Sequence, residues 1–425
     1  MSDIFKVVGG KKLSGSVEIS GSKNAALPIL AASLALSGTQ KIKNLPEISD
    51  VSHFLKMLEF CGARVKKTGD AVEISAENLS PKKDFSHPAV GKMRASILLL
   101  APLLARFGEI KMPFPGGCVL GKRSAESHLR AFSAFGAEII ESKNFLHLKL
   151  PTGKFRAAKV VLPEISVTAT ENAIIAAALA DGKSEIRLAA AEPHVQNLCS
   201  FFISAGVEIT GVGTHTLTIF GNPRAKNGNI KIVSDYLEAG TFLLAGLLTD
   251  SEIVIKNVVQ NHLDSFFEAL FDAGARFEID QKKGSIKTFP RQKDFSATKI
   301  QTGVFPKFPT DLHPQFAVLM TQSVGVSRIF ETLFERKFAY LFELEKLGAA
   351  VELLNPHEFL IRGKTPLVGA PIASQDIRAG AAMILAALIA RGETTITNIH
   401  YLDRGYENLD KKLQKLGAFF RREKW

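Results

Sequence analysis

A unit marked by one glycine recurs six times along the 425-residue chain, and this repeat restricts the fold more than any other feature. Each copy has an amphipathic helix, then Gly and a small residue, then a short strand, as in HFLKMLEFCGARVK and HLRAFSAFGAEII. The glycines lie 68 to 74 residues apart: Gly62, Gly136, Gly206, Gly274, Gly348 and Gly417. The position suits the left-handed conformation that ends many helices. The chain is therefore predicted to consist of six similar modules.

A second pattern precedes each of these helices. It is a helix of small apolar residues, a turn and an alternating strand, as in ENAIIAAALADGKSEIRL. Five of the six turns carry Gly, and the fourth has Thr249-Asp250 instead. A helix that is apolar nearly all round is expected in a core, and the two-faced helices are expected to cover the outside. Alternating strands and helices predict an α/β architecture.

Six small modules suggest two globular halves of three. The join is predicted near Asn227–Glu238, after the stretch GNPRAKNGN. The first 22 or so residues are read as an extra strand or hairpin that pairs with the last module. We therefore expect one domain over 23–232, and a second made of 1–22 and 233–425.

Charge and cysteine content narrow the function classes. Lys and Arg number 53 against 42 Asp and Glu, a net charge of +11, which favours anionic partners. No block of five basic residues occurs, so small anionic substrates are favoured over nucleic acid. No apolar run approaches the ~18 residues that cross a bilayer, and the N-terminus has no signal-peptide core. Three cysteines suit a reducing compartment, so a cytoplasmic protein without a membrane partner is expected.

Basic residues recur in the loops that precede the predicted helices. Helix N-termini attract anions, and a further positive charge there is favourable only when an anion binds. The alternative is that each is a solvated surface group. The residues are Lys23, Arg94, Arg123, Arg336, Lys337, Arg378 and Arg404.

Two other loop residues are candidates for chemistry. Cys118 follows Pro115-Gly116-Gly117, and the nearby Lys122 and Arg123 favour its thiolate, although a structural thiol is the alternative. Cys61 and Cys199 lie in helices and are expected to be packed small hydrophobes. Asp311 precedes a helix, so it is either an N-cap or a general base. No His cluster has metal-ligand spacing, and neither a metal nor a cofactor is expected.

Four segments together resemble one known family. They are Gly21–Ala26, Pro115–Cys118 with Arg123, Phe308–Asp311 and Asp403–Glu407. In this order they are similar to the UDP-N-acetylglucosamine 1-carboxyvinyltransferases, the UDP-GlcNAc enolpyruvyl transferases, over essentially the whole chain. The resemblance implies two inside-out α/β barrel-like domains, each of three βαβαββ repeats, with the active site in the cleft between them.

The resemblance also implies the reaction and its residues. The enolpyruvyl group of phosphoenolpyruvate would move to the 3′-hydroxyl of UDP-N-acetylglucosamine with release of phosphate, the first committed step of peptidoglycan precursor synthesis. Cys118 would be the proton donor and Asp311 the base, and Lys23, Arg123 and Arg404 would contact phosphoenolpyruvate. The remaining substrate-binding positions it implies are Asn24, Arg94, Ser124, Ala125, Glu126, Ser127, Ser166, Val167, Leu333, Lys337, Asp376 and Arg378.

The chain departs from the family at several of these positions. Glu164 stands where the family usually has Lys near the uridine diphosphate, and Tyr236 where it commonly has Arg. Lys337 replaces an Arg, and Ser124 replaces a Pro. Lys and Arg are not interchangeable at bidentate sites. These departures put nucleotide affinity in question rather than the enolpyruvyl chemistry.

Three other functions remain open. One is the sister reaction, enolpyruvyl transfer to shikimate 3-phosphate, against which the cysteine loop speaks. Another is nucleic-acid binding, because RNA 3′-phosphate cyclases are built from similar units, but no basic-aromatic surface motif supports it. The third is a catalytically silent homologue, although Lys23, Cys118, Asp311 and Arg404 are all present.

Overall fold

The chain folds into two compact units. The computed structural model describes residues 3–80, 85, 90–114, 116, 125–140, 145–335 and 337–424. The N-terminal unit is Gly21–Val233, and the C-terminal unit is Met1–Ser20 with Ser234–Trp425. The limits expected from the sequence, 22/23 and 232/233, lie one or two residues from these.

Helices and strands alternate through both units. The α-helices in the described residues are α1 Lys23–Ser33, α2 Ser49–Phe60, α3 Leu100–Phe107, α4 Glu126–Ala134, α5 Val167–Leu179, α6 Pro193–Ser204, α7 Tyr236–Leu248, α8 Asp264–Asp272, α9 His313–Thr321, α10 Tyr340–Lys346, α11 Ile377–Ile389 and α12 Leu409–Lys415. Short 3₁₀ helices cover Val90–Lys92, Arg94–Leu99, Gln260–His262 and Ile399–Arg404.

Within the described residues the strands form six separate sheets, one for each module. They are β1 Asp3–Val8, β2 Ser14–Glu18, β3 Thr39–Lys43, β4 Arg64–Thr68, β5 Ala71–Ser75, β6 Glu109–Pro113, β7 Glu138–Ile140, β8 Phe145–Lys149, β9 Lys159–Val161, β10 Gly182–Arg187, β11 Glu208–Thr210, β12 Thr216–Gly221, β13 Asn229–Lys231, β14 Glu252–Lys256, β15 Phe277–Asp280, β16 Ser285–Thr288, β17 Phe295–Ser296, β18 Lys299–Gln301, β19 Ser323–Phe330, β20 Ala350–Asn355, β21 Glu358–Gly363, β22 Pro371–Ala373, β23 Glu393–Thr397 and β24 Phe419–Lys424.

The third module shows the unit most completely. Its sheet has the order β11-β12-β10-β9. Strands β9 and β10 are parallel and are joined through α5, whereas β12 runs antiparallel to both β10 and β11. This is a βαβαββ unit, so the expected fold class is confirmed.

Distant strands complete three of the sheets. Strand β1 pairs with β23 and β24 of the last module, as the sequence predicted. Strand β2, however, pairs in parallel with β14 of the fourth module, so the first residues do not form a hairpin. In the N-terminal unit, β13 pairs in parallel with β3 of the first module. Each unit is therefore closed by strands that are far apart in sequence.

The apolar helices form the cores. Every residue of α7 and α9 is buried, and so is every residue of α11 except those at its two ends. Helix α5 of the N-terminal unit is buried from Ala169 to Ala178. The amphipathic helices bury one face only, as in α2 and α8. The expected division into inner and outer helices is confirmed.

The turn positions explain the repeated glycines. All six glycines that follow the amphipathic helices have positive φ, as do the five in the second turn. In the fourth module Asp250 adopts φ 55° at the equivalent place. Its Oδ1 accepts the Arg291 backbone N–H at 2.8 Å, which helps to stabilise a conformation that is costly for most side chains.

No helix among the described residues is long and apolar enough to cross a membrane.

Candidate active site

Lys23 and Asn24 open the first inner helix, α1. Lys23 Nζ lies 3.6 Å from Asp50 Oδ2, and their side chains are only 13% and 5% exposed. Lys23 is thus not a solvated surface group. A partly buried cation at a helix N-terminus suits an anion there.

Arg94 begins a 3₁₀ helix rather than the α-helix expected from the sequence, which starts only at Leu100. Its charge acts on His128, a buried side chain of α4. Burial, and then Arg94, lower the pKa of His128 to about 3, so the ring is neutral. The Asn172 amide lies 2.9 Å from His128 Nδ1, and Thr168 Oγ1 lies 3.1 Å from Nε2. This pattern assigns the ring proton to Nε2.

The starts of α4 and α5 are joined by a hydrogen bond. Ser127 donates through its hydroxyl to Glu164 Oε1 at 3.1 Å. Ala125 is the N-cap residue of α4, which begins at Glu126, and Ser166 is that of α5, which begins at Val167. Glu164, the residue that replaces a family Lys, therefore places a carboxylate near the start of α4, where the helix dipole favours negative charge.

The cysteine loop is known only from its sequence. Cys118, Lys122, Arg123 and Ser124 lie outside the described residues, as does Arg336. The other two thiols are 3% and 1% exposed, which confirms that Cys61 and Cys199 are packed in the core. Burial raises the pKa of Cys199 to about 12, so this thiol is unreactive near neutral pH.

Asp311 lies between two cations of the C-terminal unit. Lys337 Nζ donates to its Oδ1 at 2.7 Å, and Arg378 Nε donates to its Oδ2 at 3.2 Å. The alternative that Asp311 is an N-cap is wrong, because α9 has Leu312 at the cap position and no side-chain cap. Lys337 and Arg378 come from 26 and 67 residues further along the chain.

Arg378 has a buried guanidinium, one nitrogen of which has no hydrogen-bond partner. Its carbon Cζ lies 5.3 Å from the centre of the Tyr406 ring, and its Nη1 is buried without a hydrogen-bond partner. Tyr406 is fixed in turn by Thr241 Oγ1 at 3.0 Å and by Gln315 Nε2 at 3.3 Å. A buried N–H without a partner is costly and is relieved when an anionic ligand accepts it.

Three other predicted residues have distinct surroundings. Asp376 caps α11, and its Oδ1 accepts the backbone N–H groups of Arg378 and Ala379 at 2.7 and 2.8 Å. Leu333 is 39% exposed. Arg404 ends the 3₁₀ helix Ile399–Arg404 and is partly buried.

Part of the Asp403–Glu407 segment is structural. Asp403 accepts two hydrogen bonds from Arg422, at 2.7 and 3.0 Å. This ion pair attaches the segment to β24, at the edge of the last sheet. Asp403 therefore supports the segment that presents Arg404.

Glu331 is a residue that the sequence reasoning missed. Its side chain is fully buried, and Oε2 accepts the Thr310 hydroxyl at 2.7 Å next to Asp311. The only signal was its place just before TLFERKF. Among the described residues no group of three or more His, Cys, Asp or Glu side chains is arranged to hold a metal ion.

Comparison with known proteins gives consistent results. The sequence model of EPSP synthase (3-phosphoshikimate 1-carboxyvinyltransferase) matches residues 7–413. A UDP-N-acetylglucosamine 1-carboxyvinyltransferase of Helicobacter pylori (strain Shi470) is 43% identical over 419 residues, which is 98% of each chain. A protein of the same name from Desulfosudis oleivorans is 39% identical over 99% of each chain.

A solved structure with the same fold is the enolpyruvyl transferase NikO from Streptomyces tendae. Its TM-score is 0.89 at 23% identity, over 99% of each chain. Identity this low supports the fold alone. From the sequence matches, the chain belongs to the EPSP synthase family of enolpyruvyl transferases and, within it, to the UDP-N-acetylglucosamine 1-carboxyvinyltransferases.

Proposed function

We propose that the protein transfers the enolpyruvyl group of phosphoenolpyruvate to the 3′-hydroxyl of UDP-N-acetylglucosamine and releases phosphate. This is the first committed step of peptidoglycan precursor synthesis. The observation that carries the proposal is the Asp311 carboxylate held between Lys337 and the buried Arg378, in a chain of this family. The substrates and the small number of cysteines support a cytoplasmic location.

Several of the basic residues are suited to bind the negatively charged substrates. Phosphoenolpyruvate concentrates negative charge on a phosphate and a carboxylate, so several cations must bind it together. Lys23, Arg123 and Arg404 take this role by their motif positions, and Arg378 adds the N–H group that has no partner in the folded chain.

The reaction is an addition followed by an elimination. The sugar hydroxyl oxygen attacks carbon 2 of phosphoenolpyruvate, Asp311 takes the hydroxyl proton, and Cys118 donates a proton to the methylene carbon. Carbon 2 then loses phosphate, a proton of the resulting methyl group returns to the Cys118 thiolate, and the Asp311 proton leaves with the phosphate, which restores the double bond and both catalytic groups. Atoms and charge balance without an oxidant or a metal.

The structure suggests how two of the departures are accommodated. Lys337 is 3% exposed in its side chain and keeps a positive charge against Asp311. Tyr236 is 9% exposed and makes an edge-to-face contact with the His262 ring at 6.4 Å, so an aromatic contact stands where the family commonly has a cation. We expect the enolpyruvyl chemistry to be retained and the affinity for the nucleotide to be altered.

Release of phosphate from phosphoenolpyruvate tests the proposal. Purified protein should release phosphate when UDP-N-acetylglucosamine is supplied and not without it. Asp311→Asn removes the base with little change of shape and should abolish turnover. If shikimate 3-phosphate is accepted and the UDP-sugar is not, the acceptor is wrong and the sister activity takes its place. Activity that disappears after thorough chelation would contradict the metal-free mechanism.

A further inference from the structure

Glu331 joins two loops of the C-terminal unit through both of its carboxylate oxygens. It follows β19 directly and is fully buried. Oε2 accepts the Thr310 hydroxyl at 2.7 Å, whereas Oε1 accepts the backbone N–H groups of Leu333 and Phe334 at 2.8 and 3.2 Å. One side chain thus fixes the loop that carries Asp311 relative to the loop that carries Leu333.

Thr310 connects Glu331 to the candidate base. Lys337 Nζ donates to Thr310 Oγ1 at 3.1 Å, to the Thr310 carbonyl at 3.2 Å and to Asp311 Oδ1 at 2.7 Å. The Thr310 hydroxyl therefore accepts from Lys337 while it donates to Glu331. The polar chain runs from Glu331 through Thr310 and Lys337 to Asp311.

The surroundings of Glu331 make burial of its carboxylate unfavourable. Among the described residues no Lys or Arg forms an ion pair with it, and His313 Nε2 lies 3.4 Å from its Oε2. Burial, and then the charge of Lys337, place the pKa of His313 well below its usual range, so that ring is neutral. Its Nδ1 lies 3.0 Å from the Tyr340 hydroxyl. A buried carboxylate without a cation is costly, and its hydrogen bonds must offset that cost.

We propose that Glu331 is a positioning residue that orients Asp311 toward the acceptor hydroxyl by fixing Thr310 and Lys337. The inference rests on the proposed function, because only an acceptor hydroxyl gives the orientation of Asp311 a consequence. Both carboxylate oxygens of Glu331 accept hydrogen bonds, so replacing either one by the NH2 group of an amide would reverse a hydrogen bond. The two backbone N–H groups hold the remaining oxygen, and the amide must then face Thr310.

Glu331→Gln tests the role. The amide donates to Thr310 Oγ1, which already accepts from Lys337, so the hydroxyl loses its acceptor and the Asp311 loop shifts. A misplacement of this kind lowers kcat by about tenfold to a hundredfold. The KM for phosphoenolpyruvate should stay within about twofold, because its binding does not depend on the base.

Thr310→Val provides a second, partly exposed site that removes the hydroxyl and keeps the shape. It should lower kcat similarly. The double variant should be no worse than either single variant, because both remove the same link. If Glu331→Gln does not fold, Thr310→Val alone decides, and an unchanged kcat overturns the proposal.

Glu358→Gln is the matched control. Glu358 opens β21, opposite Phe330 in the register, is 8% exposed and pairs with Arg328. It should retain the wild-type kcat. If the wild-type enzyme is active and Glu331→Gln has the same kcat, the positioning role is overturned. Additive losses of kcat in the double variant would also overturn it. A wild-type enzyme inactive with UDP-N-acetylglucosamine would instead overturn the proposed function, and this inference with it.

Discussion

Replacing Arg378 by Met should separate the stability of the C-terminal unit from its ability to bind an anion. The guanidinium is buried, it donates once to Asp311, and its Nη1 has no partner. Met retains the apolar stem and removes all of the N–H groups. Lys would be a poorer test, because its ammonium retains the charge.

The opposing contributions to folding nearly cancel. Loss of the hydrogen bond to Asp311 costs about 1.5 kcal/mol, the low end for a charged pair, because Asp311 is 32% exposed. Loss of the contact with the Tyr406 ring costs about another 1 kcal/mol. Removing a buried N–H without a partner returns about 1–3 kcal/mol. The free energy of unfolding should therefore change by about 1.5 kcal/mol or less.

Binding has no such compensation. A charge-assisted hydrogen bond to phosphoenolpyruvate contributes about 1.5–3 kcal/mol, so kcat/KM should fall by about tenfold to a hundredfold. Urea unfolding and steady-state phosphate release measure the two quantities. Arg106→Met is the control, because Arg106 donates to the Ala76 carbonyl at 2.6 Å, and it should leave kcat/KM unchanged. If the free energy of unfolding falls by more than about 3 kcal/mol while kcat/KM is unchanged, Arg378 is structural.

Three shorter predictions follow from burial and backbone geometry. Iodoacetamide at neutral pH should label Cys118 and spare Cys199 until the chain unfolds; peptide mapping that finds Cys199 first would contradict the loop assignment. Burial raises the pKa of Glu238 to about 7, so its contribution to stability, full below its unfolded value of 4.5, should be lost as pH rises toward 7. Urea unfolding of Glu238→Gln should lack this decline, and a parallel decline would refute the assignment. Asp250→Ala should destabilise by about 1–2 kcal/mol, whereas Asp250→Asn, which tolerates positive φ and still accepts from Arg291, should be neutral in the same assay; equal losses would show that the hydrogen bond is unimportant.

Local patterns were sufficient to predict most of the architecture. Helices apolar all round must be buried, and a residue that reverses the chain after a helix must tolerate positive φ, so the repeat and its glycines predicted the modules. The pairing of β2 with β14 was missed, because a parallel partner more than 200 residues away leaves no local signal. The hairpin was the shorter connection but not the one formed.

The candidate site was predicted only in part for the same reason. The motif identified Asp311, but its cation partners come from separate loops, so the N-cap alternative was not excluded by sequence. Glu331 has no motif of its own, and its importance lies in buried hydrogen bonds that only the fold reveals. The exposed Glu164 was recognised as a departure, but its bond to Ser127 was not foreseen.

Identification of the product tests the central claim most directly. The protein is incubated with phosphoenolpyruvate and UDP-N-acetylglucosamine, and the nucleotide sugar is isolated for mass spectrometry and proton NMR. The account predicts a UDP-sugar that has gained one carboxyvinyl group as an ether at the 3′-oxygen, in equal amount to the phosphate released. An unmodified UDP-sugar, or a carboxyvinyl group formed only on shikimate 3-phosphate when that acceptor is offered, would contradict it.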